Sequence, residues 1–261
     1  MTLLKQVSLI PIFALIVVAA ALAVLDIREV VAPLSLIPIT HTLFISCISF
    51  AVAYISARSY MTSGLYRFLL MGSGNLAFGL GFLASWLLSV PGGQNVLLTA
   101  DNTGTLLSSI LHVSAVILVW VGVTEEKVSR RGKTEVILSY SGVSLFMILL
   151  TIGSLFSATP LFFVQGTGPT PLRNTVVVVA LILFGISSIT LMRLYIRSKA
   201  DILWWYSLAL SLIAVGQFAY VLQKSVGSPL SWTGSVSTYL AGAYFLIAVL
   251  IPVRRSSANA A

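Results

Sequence analysis

Of 261 residues, 58% are hydrophobic and only 8% charged, about a third of the charge a water-soluble domain carries. So few charges cannot build a soluble surface, which leaves a protein whose outer surface faces lipid. The net charge of +8 does not point to nucleic acid, because the Lys and Arg residues cluster at the ends of apolar runs, as membrane topology signals do.

Each apolar run is long enough for a helix to cross about 30 Å of hydrocarbon at about 1.5 Å per residue. The expected fold is an all-α polytopic transmembrane bundle, a single domain over 1–261, with spans at 7–25, 39–58, 65–90, 104–124, 136–157, 174–196, 202–223 and 232–253. The first run follows Lys5 and could pass for a secretory leader. No small-x-small cleavage site leads into a polar start, and Asp26-Ile27-Arg28-Glu29 is followed by more apolar sequence, so the run reads as a membrane helix. The second span carries His41 and Cys47; the lone cysteine excludes an internal disulfide and reads as a small buried hydrophobe.

The third span holds Gly72, Gly74, Gly79 and Gly81 around Asn75. No strand precedes these glycines and no Lys-Ser/Thr follows, so they are not a phosphate loop; they read as helix-packing positions. Asn75 needs a polar partner in hydrocarbon, either a neighbouring helix or a ligand. Residues 91–103 read as an outer connection opening the fourth span, which carries His112. Outer connections also fall at 26–38 and 158–173, both apolar enough to lie in the membrane interface. In the seventh span, Gln217 is the candidate counterpart of Asn75. Tyr60, Trp86, Trp204, Trp205, Tyr206 and Trp232 stand near span ends and read as interfacial belt residues.

With the N-terminus placed inside, the inner segments hold Lys5, Arg58, Arg67, Lys127, Arg130, Arg131, Lys133, Arg193, Arg197, Lys199, Arg254 and Arg255, and the outer ones only Arg28, Arg173 and Lys224. Eight spans with both termini cytoplasmic satisfy the positive-inside rule without adding or removing a helix. Similar helix-opening strings, Asp101-Asn102-Thr103-Gly104 and Ser231-Trp232-Thr233-Gly234, suggest a parallel duplication of 1–130 in 131–261.

Catalytic chemistry finds little support. No Ser/His/Asp or Cys/His set can be placed at one depth. The last span lacks the lysine that a retinal Schiff base needs. All seven acids are expected at or beyond span ends, which ranks an ion-coupled transporter last. His41 and His112, both expected in the outer half, are the only nitrogen pair that could hold a metal or one haem b; the plainer reading is two satisfied polar side chains.

The strings His41-Thr42-Leu43-Phe44, Ala57-Arg58-Ser59-Tyr60, Tyr66-Arg67-Phe68-Leu69-Leu70-Met71-Gly72 and Leu76-Ala77-Phe78-Gly79-Leu80-Gly81 resemble the polytopic membrane-associated sensor domains that precede prokaryotic histidine kinases and diguanylate cyclases. The resemblance covers spans 2 and 3. It implies a membrane input module whose last helix enters the cytoplasm. No kinase or cyclase follows Arg254-Arg255 here, so it also implies a stand-alone module or one that signals to a separate partner. The leading expectation is a non-enzymatic, sensor-like bundle that sits in the lipid bilayer of a prokaryotic plasma membrane and binds a lipophilic ligand or a membrane partner. Its candidate contact residues are Asn75, Gln217, His41 and His112. An accessory subunit of a larger membrane complex, haem-binding in one variant, is the alternative, and a small transporter the second alternative.

Overall fold

In a computed structural model, residues 3–31, 36–122 and 132–258 are described, without the side chains of 86, 88–92 and 252–258. The inner-loop residues Lys127, Arg130 and Arg131 and the side chains of Trp86, Arg254 and Arg255 therefore lie outside the described set. Among the described residues, eight helices are long and apolar enough to cross a membrane: α1 Leu3–Leu25, α2 Leu36–Ser63, α3 Tyr66–Ser85, α4 Gly93–Val121, α5 Gly132–Leu155, α6 Pro171–Ser198, α7 Asp201–Leu222 and α8 Pro229–Ile251. A two-stranded antiparallel hairpin, β1 Phe163–Val164 and β2 Gly168–Pro169, links α5 to α6.

The main departure from the sequence expectation lies between α3 and α4. Residues 93–103, expected as loop, are helical, and the helix runs on from α3 with one break at Gly93 (φ 64°, ψ −170°), a left-handed conformation that glycine adopts at no steric cost. The polar residues that suggested a loop are absorbed by their own helix. Thr99 Oγ1 donates to Asn95 O at 2.7 Å and Asn102 Nδ2 to Leu98 O at 2.6 Å. Because α4 starts at Gly93, Asp101 lies within the span and not at its end. The expectation that every acid sits at or beyond a span end is overturned.

The chain divides into two compact units, one of residues 38–183 and one of 1–37 with 184–261. This division does not follow the boundary at 130; packing and ancestry are separate questions, and it leaves a duplication undecided.

In the 38–183 unit, α3 and α4 share a seam of small residues. A Cβ added at Gly81 would stand 2.9 Å from Ala100 O, and one at Gly104 would stand 2.8 Å from Ala77 O and 3.0 Å from Gly81 Cα. Backbones meet this closely in lipid only where side chains are absent. On other faces of α3, Gly79 packs on Phe50 and Ser49 of α2, and Gly72 on Ser56 of α2 and Tyr140 of α5. A polar ladder docks α5. Glu135 accepts from the hydroxyls of Tyr60 and Tyr66, Ser139 Oγ meets Ser73 Oγ at 2.8 Å, and Tyr140 donates to Ala53 O at 2.7 Å.

In the other unit, α7 and α8 form the core. Gly216 lies against Gly234 O, and Gly234 against the Tyr220 ring. Trp204, Trp205 and Tyr206 are buried, as is Tyr60 in the first unit; packing against neighbouring helices takes precedence over the interface, so the belt reading fails for these four. Cys47 is also corrected: it is exposed on its helix, not buried.

The C-terminal end of α1 is tied to the α7–α8 connection. Asp26 pairs with Arg28 at 2.6 Å and Lys224 at 3.0 Å, Ser225 Oγ donates to Arg28 O, and Val31 N to Gly227 O. The Arg28 hydrogen bond, then Lys224, holds the Asp26 carboxyl down to about 2. A carboxylate depressed in the folded state contributes above its ordinary pKa and is lost as pH falls toward the depressed value. Amide exchange at 223–228, taken relative to the intrinsic rate at each pH, should therefore be flat from about pH 8 to about pH 5 and rise only below about pH 4. Raising salt from about 0.1 M to about 1 M at neutral pH should also speed it modestly, since these charges are exposed.

Candidate functional site

The seam between α3 and α4 brings together two of the residues singled out in the sequence. Asn75 is nine residues from the first residue of α3, and His112 nine from the last residue of α4, so both sit about 13 Å along their helices. Each is 1% exposed. His112 therefore lies further from the start of its helix than the sequence reading placed it, because α4 begins earlier than expected.

The imidazole roles follow from its partners. His112 Nδ1 is 2.8 Å from Ser108 O; a carbonyl only accepts, so Nδ1 carries the hydrogen. Nε2 is then a lone pair, and Asn75 Nδ2 points at it from 3.4 Å while also donating to Met71 O at 2.9 Å. Gly74 makes this possible, since a Cβ there would fall 2.5 Å from His112 Nδ1 and 3.3 Å from Ser108 O.

Outward along α3 the same face continues in aromatic rings. Phe78 and Phe82 meet edge-on at 4.9 Å, and His41 meets Phe82 edge-on at 5.0 Å. His41 and His112 thus contact α3 at positions seven residues apart, about 10 Å along the helix. One iron between the two imidazoles would require both rings to leave these partners, so the arrangement does not fit a bis-histidine haem. Among the described residues, no group of three or more His, Cys, Asp or Glu side chains could hold a metal ion.

Gln217 lies in the other unit, on α7. It is 1% exposed, and its Nε2 has no hydrogen-bond partner in the protein. In a membrane interior such a donor costs about 1–3 kcal/mol unless something accepts from it.

Sequence reasoning missed the polar residues that gather at the starts of α4 and α6. Arg173, at the start of α6, is 2% exposed, and its charge acts on Asp101 of α4. Asn95 Oδ1 accepts from the backbone N–H groups of Phe162 and Phe163 at 2.9 and 3.1 Å, fixing the hairpin connection to α4. A signal existed: Asn95, Thr99, Asn102, Thr105, Ser109 and His112 recur every three or four residues, the period of one helix face.

Among the described residues, eight helices long and apolar enough to cross a membrane define an integral membrane protein of the all-α polytopic class. Residues 34–253 match the model of the membrane-associated sensor domain family (MASE3), and the chain belongs to that family. The match runs from α2 to α8, well beyond the two helices that carried the resemblance, and α1 precedes it. No curated protein and no solved structure matches the chain.

Proposed function

We propose that this chain is a non-enzymatic input module of a prokaryotic plasma membrane, with both termini cytoplasmic, and that it responds to a lipophilic ligand or a membrane partner at the Asn75–His112 pair. The observation that carries this reading is the hydrogen bond between those two side chains at mid-span. At 3.4 Å it is long, and a ligand hydroxyl donating to His112 Nε2 can displace Asn75 at little cost. Gln217, with its unpartnered donor, is a second contact point in the other unit.

A thermal-shift experiment tests it. Adding a lipid extract of the host's own membranes should raise the melting temperature of the wild-type chain, and less so for Asn75→Leu or Gln217→Leu. An equal shift in all three would count against both positions.

A second reading, a small transporter, is favoured by one observation, the intramembrane Asp101 facing Arg173. The proposed duplication of 1–130 in 131–261 draws support from Gly104 and Gly234, each of which packs into a glycine-containing helix hairpin.

A further inference from the structure

The first span is broken near its inner end. Leu3–Val7 and Ile10–Leu25 are separate helical segments. Pro11 explains the break: it has no N–H to offer Val7 O, and its ring crowds that carbonyl. The next donors turn to Leu9 O, from Ile12 N at 3.2 Å and Phe13 N at 3.4 Å. Ser8 O, which Ile12 N would serve in a continuous helix, is left over, and the Tyr244 hydroxyl of α8 donates to it at 2.9 Å.

The segments on either side of the break are anchored separately. Lys5 pairs with Asp201 of α7 at 2.5 Å and donates to the Tyr195 hydroxyl at 3.1 Å. Trp204 Nε1 donates to Ser8 Oγ at 3.2 Å. Further along, Ala19 is buried with Ala219 of α7 and Leu230 of α8. The other side of the break is open: Gln6, Leu9, Ile10, Phe13, Ala14 and Val17 line an apolar groove of about 680 Å³, so the turn has room to rewind.

We propose that the Ser8–Leu9 turn is a two-position latch on the last span. In the engaged position Ser8 O accepts from Tyr244 and holds α8 against α1. In the released position Ser8 O accepts from Ile12 N–H, the helix closes, and α8 is free to shift. Closing the helix turns the Ser8 carbonyl along the axis toward Ile12 N–H, so the α8 hydroxyl must follow it or let go, and the element has two positions. Pro11 sets the resting position, because a closed helix would leave Val7 O crowded and without a donor. The broken turn of the latch lies in α1, before the family match, and its partner Tyr244 lies within it. It rests on the sensor reading only for what trips it.

The test uses the full chain in lipid nanodiscs without added ligand, so its failure leaves the Asn75–His112 reading untouched. In a Cys47→Ser background, spin labels at Leu4→Cys and Leu250→Cys report the separation of α1 and α8 by pulsed electron resonance. Tyr244→Phe removes the latch hydroxyl, and Pro11→Ala lets the helix close; both should shift or broaden the distance distribution in the same sense. A structural contact alone would respond to Tyr244→Phe and not to Pro11→Ala. That result, an unchanged distribution in both variants, or a response to Pro11→Ala only, would overturn the latch.

Discussion

Gly104→Leu should destabilise the chain by about 3 kcal/mol or more, the upper range for overpacking a closed interior. Even the first added carbon would meet Ala77 O at 2.8 Å and Gly81 Cα at 3.0 Å. Backbone cannot swing aside as a side-chain terminus can, so α3 and α4 must separate, and the Asn75–His112 hydrogen bond goes with them. Gly142→Ala on α5 is the control, since nothing lies within 4 Å of its added carbon; it should be neutral or gain about 0.5–1 kcal/mol from helix propensity. Thermal unfolding in detergent, followed by circular dichroism, ranks the two. Equal stability would mean that the seam is not closed as described.

Arg173→Met should be the next most damaging change, costing about 2–4 kcal/mol. The Arg173 charge acts on the Asp101 carboxyl; losing one member of a fully buried ion pair costs about 3–5 kcal/mol, which is the upper bound here. Arg173 is buried and Asp101 only half-buried, so the expected cost extends below that range. The double variant Asp101→Asn with Arg173→Met should recover most of the loss, because it leaves no lone carboxylate in the span. If the double variant is as unstable as the single one, Arg173 acts through packing and the charge pairing is unimportant.

Much of this architecture is legible in the sequence because the hydrocarbon core demands long apolar runs, and all eight helices sit close to the segments read from hydropathy. The start of α4 was misplaced for the complementary reason. Asn95, Thr99, Asp101 and Asn102 look like loop residues by polarity alone, yet all four hydrogen-bond to groups on α4 or the hairpin next to it. Polarity measures the cost of leaving a group unpaired in lipid; it does not say whether a partner is at hand. The same error hid the pairing of His112 with Asn75, although both residues had been singled out. Burial of Trp204, Trp205 and Tyr206 could not be read from their position near a span end, since that depends on which helices surround α7. The broken turn in α1 was foreshadowed by Pro11, but its partner Tyr244 lies 236 residues from Ser8, and no local pattern links them.

Native mass spectrometry of the chain, released gently from its own membrane, tests the central claim most directly. A membrane input module of the kind proposed should appear alone or as a homo-oligomer carrying a small molecule of defined mass, and Asn75→Leu should fly without that mass. A wild-type chain that flies bare, or that holds a second polypeptide in fixed ratio and no small molecule, would contradict it and favour the accessory-subunit reading.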